Sequence, residues 1–209
     1  MILRGNNMKK AIFGGTFDPI HIGHIHIAYE ALYNLSMDEI IFVPNGNPPH
    51  KNSKVVTCGD IKYEMALKAV EGKAKFSISD YEISNNGLSY TYNTLTHFNE
   101  LEPDTDWFFL VGVDSLMSFR TWMNIDIILD NCTLVVFSRS GYNDKNVYEM
   151  KARIEEEYNT NIIFLEMPLL DISSTEIKRK IAQHRVVNYL LPNGVEDIIN
   201  KYNLYRDKV

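Results

Sequence analysis

The chain has 209 residues, 45% of them hydrophobic, enough for a sizeable core in one domain, with or without a small appendage. A formal net charge of -6 argues against a protein that coats nucleic acid, and no apolar run reaches the roughly 20 residues that span a bilayer. Neither a nucleic acid nor a membrane is therefore an expected partner. Cys58 and Cys132 lie far apart in unlike contexts and indicate neither a disulfide framework nor a CxxC metal site. Cys132 precedes the apolar run TLVVF and reads as a small core residue. The opening MILRGNNMKK has basic residues but no apolar signal core after it, which reads as cytoplasmic. Met8 is a candidate second start, because the first strand begins just after it.

In chain order, residues 10–14 (KAIFG) read as a short buried strand, and residues 22–35 carry Ile25, Ala28, Leu32 and Leu35 at helical spacing. Residues 39–43 (EIIFV) form a strand stopped by Pro44, and a polar loop rich in turn formers runs to about residue 57. A helix is predicted over 60–71, an alternating strand over 75–83 (KFSISDYEI) and a helix over 91–101. The strongest buried strands are 106–112 (DWFFLVG) and 132–138 (CTLVVFS). A helix over 146–158 and a strand over 161–167 follow, and helices near 174–184 and 194–202 close the pattern. Residues 141–145 are the best candidate for a flexible loop. This alternation predicts an α/β fold, a Rossmann-like, doubly wound parallel sheet with helices on both faces. One domain over 1–209 is expected, with a helical C-terminal subregion from about residue 170. Ligands of such sheets sit at the strands' carboxyl ends, where the topology switches direction.

Four stretches carry candidate chemistry. The first is GGTFDPIHIGH, residues 14–24, between the first strand and the first helix. Gly14 and Gly15 allow close backbone approach to a ligand and unusual dihedrals, and the amides of a helix start favour an anion. Neither GxGxxG nor GxxxxGK[ST] occurs, so the phosphate chemistry is of another kind. His21 and His24 stand three apart and share a helix face, from which imidazoles can bond phosphate oxygens and, when protonated, offset developing charge. His26 turns away from that face and reads as a packed or solvated helix histidine. Zinc is disfavoured, because HExxH is absent and no nearby cysteine could complete a ligand set.

The second stretch is ISSTEIKRK, residues 172–180. Ser173 and Glu176 make an S-x-x-E capping box, while Ser174, Thr175, Lys178, Arg179 and Lys180 add hydroxyls and charge suited to a triphosphate. The third, NPPHK at residues 47–51, stiffens a loop that presents His50 and Lys51. The fourth, VGVDSLMSFRTW at residues 111–122, puts Asp114 just past a strand end, where a carboxylate can accept ribose hydroxyls. Its Trp122 can stack on an aromatic cation or fill the core.

In this order the stretches, with SYTYNTL and FSRSGY between them, resemble the nucleotidyltransferase superfamily with the HxGH signature. Within it they are most similar to the bacterial nicotinate-nucleotide adenylyltransferases, along nearly the whole chain. The resemblance implies that Gly14, Gly15, Thr16, Phe17, His21, His24, Ser173 and Ser174 meet ATP, with Asp114 near the bound nucleotides. It places Lys178 at the family's usual arginine, in an ATP-binding helix. It implies that Tyr90, Thr91 and Trp122 hold the nicotinate ring and carboxylate, and that Lys51 and Arg139 serve the mononucleotide. Lys178 keeps the charge but loses the bidentate fork, and Arg179 points about 100° away around the helix. Asn93 and the pair Ser140-Gly141 also depart from the family's aspartate and Pro-Gly. The implied reaction joins ATP to nicotinate mononucleotide, with His21 and His24 catalytic, Mg2+ on the phosphates and no metal-binding residues of the chain's own. A sister transferase and a nucleotide sensor without turnover remain alternatives, and self-association is left open.

Overall fold

A computed structural model describes residues 7–46, 57–85, 88–139, 144–168 and 170–206. The apolar runs form six parallel strands: β1 (Lys9–Gly15), β2 (Glu39–Pro44), β3 (Phe76–Ile78), β4 (Asp106–Gly112), β5 (Thr133–Arg139) and β6 (Ile163–Met167). Between them lie α1 (Ile22–Asn34), α2 (Gly59–Val70), α3 (Tyr81–Ser84), α4 (Thr91–Leu101), α5 (Val113–Ser118), α6 (Ile125–Asn131) and α7 (Lys145–Tyr158). After β6 the chain is helical, with α8 (Ser174–Ala182), a 3-10 turn at Asn188–Leu190 and α9 (Val195–Lys201).

The strands order as β3-β2-β1-β4-β5-β6. From β1 the chain winds outward one way through β2 and β3, then returns to add β4, β5 and β6 on the other side. That reversal makes the carboxyl ends of β1 and β4 the switch point of a Rossmann-like sheet. Successive strand side chains face opposite ways, so β1 sends Ala11 and Phe13 to one core and Ile12 to the other. The first core is closed by α1, α2, α8 and α9, the second by α4, α5, α6 and α7. The C-terminal helices join the first core through Ile177, Ile181, Val195 and Ile198.

Three elements depart from expectation. The predicted strand over 75–83 stops at Ile78, and α3 follows. Ser79 Oγ accepts the Tyr81 N–H at 3.2 Å, and the Asp80 carbonyl accepts the N–H of Ile83 and of Ser84 at 2.8 Å each, so local polar groups turn the chain out of the ladder. Residues 113–131, left unassigned between two strands, fold as α5, a 3-10 turn and α6. Lys145, placed in a flexible loop, instead opens α7, whose cap is Asp144 accepting the Asn146 N–H at 2.9 Å. The rest of that loop from 141 to 143, and the NPPHK stretch, lie outside the described residues. Cys132 is buried, its thiol directed at the Ile128 carbonyl. Among the described residues no helix is long and apolar enough to cross a membrane.

Candidate active site

A cleft of 850 Å³ opens at the switch point. Gly14, Gly15, Thr16 and Phe17 from the end of β1 line it, with His21 and His24 from the start of α1. Tyr90 and Thr91 at the start of α4, Asp114 in α5, Trp122, and Ser173 and Ser174 at the start of α8 complete the group. Residues up to 160 positions apart thus converge because three helices, α1, α4 and α8, aim their amino ends at one space. Each such end carries unpaired N–H groups and partial positive charge.

Of the two glycines, Gly15 serves space rather than dihedral freedom, and a Cβ on Gly14 would make only ordinary contact with Phe109, at 3.5 Å. Neither has a positive φ; the left-handed residue of the loop is Phe17, at φ 46°. A Cβ on Gly15 would stand 2.8 Å from the Phe17 ring, so the glycine lets that ring fold back into the core, where it is 2% exposed. Phe17 in turn meets the His24 ring edge-on at 5.1 Å.

His21 caps α1 in extended conformation, and its ring stacks on His24 at 3.7 Å. His24 Nδ1 accepts the His21 backbone N–H at 3.1 Å, while the His24 N–H donates to the His21 carbonyl at 3.0 Å. An imidazole that accepts through Nδ1 keeps its proton on Nε2, and that N–H is then a donor. His21 Nδ1 is buried and finds no hydrogen-bond partner among the described residues. Burial pulls His21 down to about 4; burial and the neighbouring His21 hold His24 well below 6.5. Both rings are therefore neutral near pH 7: burial disfavours the charged form, and the positive start of α1 acts in the same direction. His26, on another face, donates to the Pro168 carbonyl at 2.6 Å and ties α1 to the end of β6.

At α8 the Ser173 hydroxyl accepts the Glu176 N–H at 3.2 Å, the forward half of the capping box. The reciprocal half is absent, because the Glu176 carboxylate takes two N–H groups of Arg179 at 2.7 Å each on the exposed side. The Ser174 hydroxyl donates to the Pro19 carbonyl at 2.8 Å. Lys178 does not line the cleft; its ammonium pairs with Asp18 and lies 5.0 Å over the Tyr205 ring. Trp122 is half-buried against Phe119 at 5.1 Å and Phe109 at 6.3 Å and also faces the cleft. Arg139 is the last residue of β5, at its carboxyl end, and Lys51 lies outside the described residues.

Asn45, Glu82 and Ser89 also line the cleft and were not singled out from the sequence. Glu82 accepts the Thr94 hydroxyl at 2.8 Å, and burial raises its carboxyl. Beneath it Lys62 is 1% exposed and donates to the Asn45 carbonyl at 2.5 Å. Its signal in the sequence was a lysine in phase with Met65, Ala66 and Ala69 on the apolar face of α2. A second hollow of 1130 Å³ between α2, β3 and α9 contains none of the sequence motifs.

Residues 12–180 match the family model described as cytidylyltransferase-like. A protein of Clostridium novyi named "probable nicotinate-nucleotide adenylyltransferase" is 52% identical over 198 residues, covering 95% of this chain and 99% of its own. A Clostridium kluyveri protein of the same name is 50% identical over 202 residues, 95% of this chain and 100% of its own. The chain belongs to the nicotinate-nucleotide adenylyltransferase family. It is accordingly an enzyme, a nucleotidyltransferase. The fold agrees with a solved Plasmodium falciparum nicotinic acid mononucleotide adenylyltransferase complexed with NaAD, at a TM-score of 0.75 and 22% identity, over 95% of this chain and 98% of the other.

Proposed function

We propose that this adenylyltransferase, acting in the cytoplasm, joins ATP and nicotinate mononucleotide into nicotinate adenine dinucleotide and pyrophosphate, a step of NAD biosynthesis. A phosphate oxygen of the mononucleotide attacks the α-phosphorus in line. The bond from that phosphorus to the bridging oxygen of the β-phosphate breaks, and pyrophosphate leaves. The nucleophile is already ionised at neutral pH, so neither a general base nor a covalent intermediate is required. Alignment and charge stabilisation supply the catalysis.

The observation that carries this reading is the stacked His21–His24 pair at the floor of a cleft onto which three helix starts converge. His24, held through Nδ1, offers its Nε2–H to the α-phosphate and departing pyrophosphate, and His21 acts beside it. Gly14, Gly15, Thr16 and Phe17 let the triphosphate approach the backbone, and Ser173 and Ser174 receive it at the start of α8, the helix that also carries Lys178. The amides at Tyr90 and Thr91, where α4 begins, suit a carboxylate on the pyridine ring, and Trp122 suits the ring itself. Asp114 takes ribose hydroxyls, and Lys51 and Arg139 serve the mononucleotide phosphate.

Magnesium enters as part of the MgATP substrate. Among the described residues no group of three His, Cys, Asp or Glu could cage an ion. Of the two carboxylates lining the cleft, Glu82 is buried and bonded to Thr94, and Asp114 would suit a small hard cation whose other ligands are phosphate oxygens and water. Bound there, the ion would neutralise charge on the phosphates.

The test is pyrophosphate release with MgATP, comparing nicotinate mononucleotide with its amide. Fast release with the acid and slow release with the amide are expected. Equal rates would overturn the carboxylate pocket at α4. Silence with both would overturn the reading and leave a sister transferase or a sensor.

A further inference from the structure

Asp18 lies inside the glycine-rich stretch, yet it does not line the cleft and is 4% exposed. It is held from two distant parts of the chain. The Lys178 ammonium, from α8, pairs with Oδ2, and the Tyr205 hydroxyl, from the turn after α9, donates to Oδ1 at 2.6 Å. The two holders also touch each other, the ammonium lying 5.0 Å from the Tyr205 ring centre. Thr57 donates to the Tyr205 oxygen at 3.4 Å, adding the segment that precedes α2. Burial and the Asp18 charge push the Tyr205 phenol well above its ordinary value, so it stays a donor. Burial alone would raise the Asp18 carboxyl; Lys178 and the hydroxyl bonds bring it below its usual value, and it stays charged.

A buried carboxylate is tolerated only while its oxygens are bonded. Loss of either holder favours a loop position in which Asp18 reaches water. Both flanks of Asp18 bear on the reacting groups. On one side Phe17 supports the His24 ring. On the other, Pro19 is tied to Ser174 through its carbonyl, and the fully buried Ile20 leads directly into His21.

We propose that Tyr205 is a positioning residue for adenylyl transfer: with Lys178 it holds Asp18, and through Asp18 it keeps the turn carrying His21 and His24 in its reactive place. The proposal rests on the function proposed above. It also gives the lysine at the family's usual arginine position a second task, as the partner of a buried carboxylate.

The test compares steady-state kinetics and thermal midpoints of wild type, Tyr205→Phe, Asp18→Asn and the double variant. Tyr205→Phe keeps the ring under Lys178 and removes only the hydroxyl. It is expected to lower kcat about tenfold while the KM for nicotinate mononucleotide changes less than about twofold and the midpoint moves little. In the Asp18→Asn background the same substitution is expected to have no further effect on kcat. Should Asp18→Asn not fold, Lys178→Met takes its place in the cycle, with the same loss of additivity expected. A lowered midpoint with unchanged kcat would make Tyr205 structural and overturn the proposal. Independent, additive effects on kcat would also overturn it, because Tyr205 would then act by another route. Wild type without turnover would overturn the functional reading and this proposal together; an active wild type with an unimpaired Tyr205→Phe would overturn this proposal alone.

Discussion

His21 and His24 show how burial sets the charge of a site before any substrate arrives. Stacked at 3.7 Å in a mostly desolvated corner, two charged imidazoles would repel and lose their hydration, so both rest neutral. The consequence for stability has a definite sign. His21 sits at about 4 in the folded chain and near 6.5 when unfolded, so between those values the unfolded chain binds more protons. Stability attributable to the neutral ring is therefore complete above pH 6.5 and is lost as pH falls toward 4. At pH 5 the loss is about 2 kcal/mol. Denaturant unfolding of wild type and His21→Ala at pH 7 and pH 5 checks this. The gap between the two proteins should shift by about that amount in favour of the variant at pH 5. Parallel losses would mean that the ring is hydrated in the fold. The histidine pair itself was legible from its spacing and its glycine-rich setting. Its neutrality was not, because desolvation depends on tertiary packing: the Phe17 ring folds back edge-on to His24, and Ile172, far away in sequence, lines the same cleft.

At the scale of elements, α8 joins a local device to a distant task. Ser173 both caps the helix and lines the cleft, so two substitutions can separate the roles. Ser173→Ala removes the cap, at a cost of about 1 kcal/mol and hence roughly 2–4 °C in thermal midpoint. It should also weaken MgATP binding. Ser173→Asp restores an acceptor to the cap and should recover the midpoint, while its charge repels the triphosphate and raises the KM for ATP further. If the aspartate variant recovered both, Ser173 would be a cap and nothing more. The long strands and helices were readable because one-sided burial imposes a period of 2 or 3.6 on the sequence. Reading failed where that period was too short to register. The strand β3 has three residues before Ser79 and Asp80 turn the chain, and the run from Val113 to Asn131 breaks into three pieces, none longer than seven residues.

On the scale of the molecule, the alternating elements announced a parallel sheet and the ISSTEIKRK motif announced the return of α8 to the site, but the strand order and the docking of the turn after α9 left no local trace. The bonds from Asp18 to Lys178 and Tyr205 span 160 and 187 residues; Lys178 stood in a motif read for a triphosphate and not for Asp18, and Tyr205 stands in no pattern that marks it. A second long-range link runs through the core. Phe76 on the edge strand meets Phe42 at 5.6 Å, Phe42 meets Phe17 at 5.7 Å, and Phe17 meets His24 at 5.1 Å. Phe42 is fully buried at the middle of this row, so its volume is felt on both sides. Phe42→Ala should cost about 3–5 kcal/mol and lower the thermal midpoint by about 10 °C. The cavity also frees the Phe17 ring to sink away from His24. Turnover measured well below the lowered midpoint should therefore fall as well, with less change in the KM values. A lowered midpoint with full turnover would show that the backbone bond between His21 and His24, rather than the aromatic row, holds the His24 ring. Loss of both would make the edge of the sheet and the floor of the cleft one mechanical unit.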